Sequence, residues 1–385
     1  MKKDPPLSGL RVVELARVLA GPWAGQLLGD LGADVIKIES PSGDETRQWG
    51  PPFHGEDSSA YFQCSNRGKK SVIADLRDKN DLAMVKELAQ KADVLIENFK
   101  VGSLAKYNLD YSSIQKSNPN LIYCSITGFG QSGARANKPG YDFIIQAMGG
   151  IMDLTGEKEG EPQKPGVAYA DLFTGLYSVV AIQSALIARQ VTKKGTYIDM
   201  SLFDTQLGVL ANQGASYLKT GVSPTRMGNS HPVIVPYQKF NVIDGSIIVA
   251  CGNDDQFQKL CIALELTFHR NIKYKKNKDR VINRITLVSL IQERLSLLKK
   301  ATVLSKLERA GVPCGAINSV AEALNDKQAL QREMIFSING ESAIRSPILF
   351  DTISLTYKDL SPKLGQHTDE IKQKLNNKTF WKSKN

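Results

Sequence analysis

The stretch RVVELARVLAGPWAGQLLGDLGADVIKIE, residues 11–39, decides the fold. Its first five residues are largely β-branched and end at a loop, as a short strand does. Ala20-Gly21-Pro22 then opens a helix with proline in its first turn, and Gly32 closes it before the strand VIKIE (35–39). This is a β-α-β unit. A second follows: KKSVIADL (69–76), a helix from Asp81 to Lys91 with Asn80 placed to cap it, then DVLIENF (93–99). LIYCSITGFG (121–130) is another buried strand ending in a glycine-rich turn. Short apolar strands alternating with amphipathic helices predict an α/β fold whose mostly parallel sheet is covered on both faces. Ligands are then expected beyond the carboxyl ends of the strands.

Farther along, residues 156–166 form a Gly/Pro/charge loop, Asp171 to Arg189 reads as a long buried helix, and residues 196–213 give a strand running into another helix. Residues 220–238 are turn-rich. From Lys239 the pattern changes to a hairpin, KFNVIDGSIIVACGN, with Asp244-Gly245 at its turn, followed by helices carrying most of the Lys/Arg excess. The expected organisation is a large domain over 1–212, to which 326–385 returns, and a linker plus smaller α+β domain over 213–325.

The chain has 385 residues, 42% hydrophobic and 23% charged, which excludes a single small module and a disordered, collagenous or coiled-coil protein. Its net charge of +10 draws anionic ligands without choosing among them. The five cysteines are widely spaced with no metal-ligand pattern, so no metal is expected and a reducing, cytoplasmic compartment is. The start MKKDPPLSG lacks the apolar core of a secretory signal. The most apolar run, 172–188, is broken by polar residues and reads as too short to cross a bilayer, so no membrane partner is expected.

Candidate chemistry is sparse. Glu39 lies about where a ribose-binding acid would follow a dinucleotide site, but the turn LAGPWAG has no GxGxxG, and Pro22 and Trp23 stand where the backbone must meet a pyrophosphate. Asp171 in GVAYADLFTG precedes an apolar helix, as an ordinary N-cap does. It equally suits a carboxylate nucleophile, ionised at neutral pH and needing no general base, with Gly166 and Gly175 allowing close approach of substrate. Arg67, Lys69 and Lys70 read as a solvated edge, and Asn98 with Phe99 as a strand end. The lysines at 273–300 lack interleaved aromatics, so no nucleic-acid partner is expected.

In order along the chain, RVLAGPWAGQLLGDLGADVIKIE (17–39), GDETRQWGPPF (43–53), NRGKKS (66–71), ADVLIENFKVGSL (92–104), YCSITGFGQSG (123–133), PGYD (139–142), GVAYADLFTGLYS (166–178), GNSHPVIVPYQKF (228–240), GVPCGAIN (311–318) and LGQHTDEI (364–371) resemble the class III CoA-transferase family. The segments DETRQWGPPF, VPYQ and GVPCGAIN look most like the branch that moves CoA between succinate and glutarate. The resemblance implies a Rossmann-like large domain and a small domain, joined by linkers into a ring that interlocks with a second copy as a homodimer. It places the nucleophile on Asp171 and CoA contacts on Val18, Leu19, Ala20, Arg77, Asn98, Phe99, Lys106 and Lys138. Arg17, Leu19 and Ser40 depart from formyl-CoA transferase, which weighs against an oxalate-type specificity.

The implied reaction takes CoA from a donor such as succinyl-CoA to a small carboxylic acid such as glutarate. CoA is substrate and product, with no permanently bound cofactor. Asp171 would form a mixed anhydride and then an aspartyl-CoA thioester, helped by N–H groups near Gly128 to Gly130. Substrate carboxylates would meet Arg47, with Tyr141 and His231 nearby; the alternative for Arg47 is an ion pair with Asp44 or Glu45. The rival readings are an α-methylacyl-CoA racemase, in which a histidine stands where this chain has Tyr141, and a non-catalytic acyl-CoA binding protein.

Overall fold

In the computed structural model, residues 4–381 except 356 and 358 are described; Lys2 and Lys3 at the start, and the last four residues of the 326–385 segment, lie outside them. Six strands, β1 (Arg11–Glu14), β2 (Asp34–Glu39), β3 (Lys70–Ile73), β4 (Val94–Glu97), β5 (Ile122–Thr127) and β6 (Thr196–Ser201), form one sheet of order β3-β2-β1-β4-β5-β6. Every neighbouring pair is parallel. Successive side chains alternate between two buried layers: Val13 and Leu95 belong to one, Val12, Val94 and Ile96 to the other. That double burial is why the strands read as continuous apolar runs. The chain leaves β1 toward one edge and returns through β4 toward the other, so a crevice opens between the carboxyl ends of β1 and β4.

Helices α1 (Ala20–Asp30), α2 (Ala60–Asn66), α3 (Lys79–Lys91), α4 (Asp142–Met148) and α5 (Tyr169–Thr192) connect and cover the sheet. The cap of α3 is Asp78 rather than Asn80, because its carboxylate reaches the N–H groups of Asn80 and Asp81 at 2.8 and 3.0 Å. Helix α5 has 24 residues and is, by length and composition, long and apolar enough to cross a membrane, which the 172–188 stretch was expected not to be. Its Thr174, Gly175, Ser178 and Ile182 are buried. A Cβ on Gly175 would lie 2.7 Å from the Ala20 carbonyl oxygen and 3.0 Å from the Trp23 ring. Gly175 therefore serves the contact of α5 with α1 and not the entry of substrate. The C-terminal helix Thr368–Asn376 adds Ile371 and Leu375 to the layer of Val13 and Leu95.

A second unit, residues 153–163 with 223–330, has its own core, including Phe240, Ile247, Phe257, Leu287 and Leu295. Strands β7 (Tyr237–Val242), β8 (Gly245–Ala250) and β9 (Cys314–Ala316) form an antiparallel sheet in that order. Val242 pairs with Gly245, so the hairpin turn is Ile243-Asp244. The first unit takes 1–152, 164–222 and 331–385. The boundary expected at 213 instead falls inside the helix Ala211–Thr220, and 153–163 joins the second unit through Arg226, which pairs with Asp153 at 2.9 Å.

Charges crowd beneath the carboxyl ends of β1 and β2. Lys69, expected on a solvated edge, is fully buried with its ammonium 2.8 Å from Glu14 and 2.8 Å from the Pro22 carbonyl oxygen, while the buried Arg67 pairs with Asp30. Arg47 is likewise not available to substrate. Its Nε and Nη2 each hold an oxygen of Glu39 at 2.8 Å, it donates to the carbonyls of Asp57 and Pro362, and the Phe62 ring centre lies 3.7 Å from Cζ. The cause is local: Asp44 caps a single turn, Glu45–Gln48, which aims Arg47 inward and leaves Glu45 outside to pair with Arg17. The partner of Arg47 is thus Glu39, neither Asp44 nor Glu45, and Glu39 is not a free ribose-binding acid. Burial works to raise the Glu39 pKa, but Arg47 and Lys37 hold it below the usual carboxylate value.

Replacing Arg47 by Met leaves Glu39 buried without its guanidinium, so Arg47→Met is expected to lose about 3–5 kcal/mol of stability in urea unfolding. Activity per folded molecule should fall alike for mono- and dicarboxylate acceptors. Unchanged stability with a KM effect confined to dicarboxylates would restore Arg47 as a substrate ligand.

Candidate active site

The loop after β1 carries Val18, Leu19 and Ala20; the end of β4 carries Asn98 and Phe99; Thr127 and Gly128 follow in β5 and its turn. Together they line a crevice of about 440 Å3 at the switch in strand order, into which Asp171 enters from the first turn of α5. Lys138 and Tyr141 line it too. The loop backbone is under strain: Val18, a β-branched residue, has φ of +68°. Its N–H donates to both Asp44 oxygens, at 3.2 and 3.3 Å, and Lys37 holds that carboxylate at 2.9 Å. Asn98 spends its amide on the same loop, accepting from the Arg17 N–H at 2.9 Å and donating to the Arg17 carbonyl oxygen at 2.7 Å.

Asp171 is 7% exposed. It is not the N-cap of α5; Ala168 holds that place and supplies no side-chain cap. The cap comes from Asp142 at the start of α4, whose Oδ1 accepts from the N–H of Ala170 at 2.8 Å and of Asp171 at 3.3 Å. Gln146 donates to the other Asp142 oxygen at 2.6 Å. Among the described residues no group donates a hydrogen bond to the Asp171 carboxylate. Burial first, and the charge of Asp142 second, raise its pKa to about 7. It is therefore only partly ionised at neutral pH, where full ionisation was expected.

The other expected residues scatter. Arg77 lines a neighbouring groove of about 560 Å3 that shares Arg17 and Phe99 with the crevice, and its guanidinium pairs with Asp75 at 2.8 Å. Lys106 lines neither space; its ammonium lies 4.7 Å from the ring centre of Tyr107, which does line the groove. Gly166 has open space beside it. His231 belongs to the second unit, where its Nδ1 accepts from the Val233 N–H. Burial and Arg284 keep its pKa below the ordinary histidine value, so it is neutral rather than the cation a carboxylate would seek. A larger crevice, of about 950 Å3, is lined by Arg11 and Asp93 at the amino ends of β1 and β4 and contains none of the expected site residues. Among the described residues no three His, Cys, Asp or Glu side chains converge as a metal site.

Sequence reasoning gave Asp142 no role. Its signal was present: an acid at the start of a short helix pattern, within PGYD, where a carboxylate caps backbone N–H groups. What it caps is a different helix 28 residues on, which spacing cannot show.

The succinate–glutarate CoA-transferase of Agrobacterium fabrum is 48% identical over 385 aligned positions, covering 97% of this chain and 96% of that protein. The human succinyl-CoA:glutarate CoA-transferase is 40% identical, covering 96% and 86%. A CAIB/BAIF family protein from Brucella suis has a crystal structure that superposes with a TM-score of 0.88 at 54% identity, covering 97% of this chain and all of that one. The family model described as CoA-transferase family III matches residues 7–368, nearly the whole chain, and the chain belongs to that family.

Proposed function

We propose that the protein moves CoA from succinyl-CoA to a dicarboxylic acid of about the size of glutarate, through covalent intermediates on Asp171. The observation that carries this reading is the Asp171 carboxylate itself: buried, free of hydrogen-bond donors among the described residues, and set in a crevice at the carboxyl ends of parallel strands. A carboxylate so poorly solvated is a strong nucleophile once ionised. In the first step an Asp171 oxygen bonds to the thioester carbonyl carbon and the C–S bond breaks, leaving a mixed anhydride and CoA thiolate. The thiolate attacks the aspartyl carbonyl, releasing succinate and leaving an aspartyl-CoA thioester. The acceptor carboxylate and CoA then repeat the two steps in reverse, so no ATP is consumed.

The adjoining groove suits the long CoA chain, with Arg77 at its rim for a phosphate and the Val18–Ala20 loop and Phe99 between it and Asp171. With Arg47 committed to Glu39, the cations of the crevice are Arg17, Lys100 and Lys138, and of these Lys100 and Lys138 have no ion pair among the described residues. The choice of succinate and glutarate rests on the names of the Agrobacterium and human relatives. Racemase chemistry is disfavoured by Tyr141, which is 61% exposed, and by Asp142, whose oxygens are engaged in capping. The reading includes a cytoplasmic homodimer without a nucleic-acid or membrane partner. Supporting the dimer, Leu176, Val180, Ile187 and Val191 leave an apolar stripe exposed along α5.

Three outcomes test this. Asp171→Asn should lower kcat by at least about 10^3-fold while keeping the unfolding midpoint, and succinyl-CoA with hydroxylamine should modify Asp171 of the wild type by mass spectrometry; near-normal turnover in the variant rejects the mechanism. A screen of succinyl-CoA against carboxylic acids should give glutaryl-CoA in preference to monocarboxylate products of equal length, and the opposite preference removes the dicarboxylate assignment. Sedimentation at nanomolar concentration should show a dimer, and an active monomer there removes the homodimer.

A further inference from the structure

Asp142 occupies the backbone donors at the start of α5 that an N-cap side chain would take. Asp171 is the third residue of α5, a position from which a carboxylate often reaches back to the N-cap N–H, but among the described residues it makes no such bond. Here the N–H groups of Ala170 and Asp171 are already bonded to Asp142 Oδ1. Asp142 cannot swing away, because Gln146, itself fully buried, grips its second oxygen at 2.6 Å. The arrangement leaves the Asp171 carboxylate without a hydrogen-bond donor among the described residues and sets a second negative charge beside it.

We propose that Asp142, locked by Gln146, is a positioning residue that keeps the Asp171 carboxylate unsolvated and electrostatically strained, making it more nucleophilic toward the thioester. The proposal rests on Asp171 being the nucleophile. When the Asp171 oxygen bonds to the carbonyl carbon and the C–S bond breaks, the sulfur departs with the electron pair as thiolate. No proton moves. Negative charge leaves the neighbourhood of Asp142, so the repulsion present in the resting enzyme is relieved along the reaction. The other groups facing the site cannot supply this. Tyr61 on α2 is held up at about 12, by burial first and by Asp171 second, and stays neutral. Arg17, Lys100 and Lys138 in the crevice wall and its loop are cations, which act in the opposite sense, and Tyr141 and Leu202 bring no charge.

The test is Asp142→Asn. Its side-chain oxygen keeps the cap, and its amide can donate to Gln146 Oε1, which is buried and unpartnered in the wild type. Only the charge is removed. The acidic limb of kcat/KM, expected near pH 7 in the wild type, should move down by about one unit, and the rate of Asp171 modification by succinyl-CoA at pH 8.5 should fall about tenfold. Gln146→Met, which frees Asp142 without removing its charge, should move the limb in the same direction by less. An unmoved limb in both variants, even with lowered activity, overturns the proposal, because a purely structural role lowers the rate without shifting the profile. Asp171→Asn run in parallel separates the two levels: if it remains active, the nucleophile assignment fails, and if it is inactive while both limbs stay in place, only the role of Asp142 fails.

Discussion

The ammonium of Lys37 sits between Glu14 at 3.2 Å and Asp44 at 2.9 Å, with the Ala16 carbonyl oxygen at 2.8 Å, and all of these side chains are out of contact with water. Burial opposes its charge, but Asp44, Glu14 and Glu39 together hold its pKa above the ordinary lysine range. From Asp44 the constraint passes directly to the Val18 N–H, and so fixes a left-handed backbone that a β-branched residue would not otherwise keep. The crevice wall after β1 therefore depends on an ion pair below it. Removing one member of such a buried set costs more than its net contribution, since the remaining charges lose their compensation.

The same cluster ties the sheet to its covering helices. Lys69 reaches Glu14 from beside β3, and burial brings its pKa down to about 8 despite that carboxylate. In α1 the backbone passes so close to Glu14 that a Cβ on Gly25 would lie 1.8 Å from its carboxylate oxygen. Gly175 performs the corresponding service where α5 crosses α1. One helix thus packs on charge at one turn and on the helix that carries Asp171 at another, and the position of Asp171 relative to the Val18–Ala20 loop follows from these two contacts.

Asp171 and Glu97 show how differently burial acts on carboxylates at the ends of neighbouring elements. Both are raised to about 7, chiefly by burial. Glu97 is compensated by the Phe99 N–H at 2.7 Å and by Ser125, and it does not line the crevice. Among the described residues Asp171 has no such donors, and it faces the crevice. The two acids differ in hydrogen-bond supply and access, not in pKa.

Sequence by itself determined the parallel sheet, because strands buried on both faces must be apolar at every position, and the helix boundaries near Pro22 and Gly32 follow from backbone chemistry. Family resemblance pointed to Asp171, Val18 to Ala20, Asn98 and Phe99, and these residues line one crevice because they lie at strand ends and helix starts. Tertiary structure alone decided which charges are spent. Arg47 was expected on a substrate carboxylate and Lys69 on a solvated edge, yet Glu39 and Glu14, 8 and 55 residues away, draw them into the interior. The pairing of Asp142 with α5 and the depressed pKa of His231 are likewise products of chain segments meeting in space. Periodicity records which face of an element is dry; the partner that a buried charge finds there depends on distances no spacing along the chain contains.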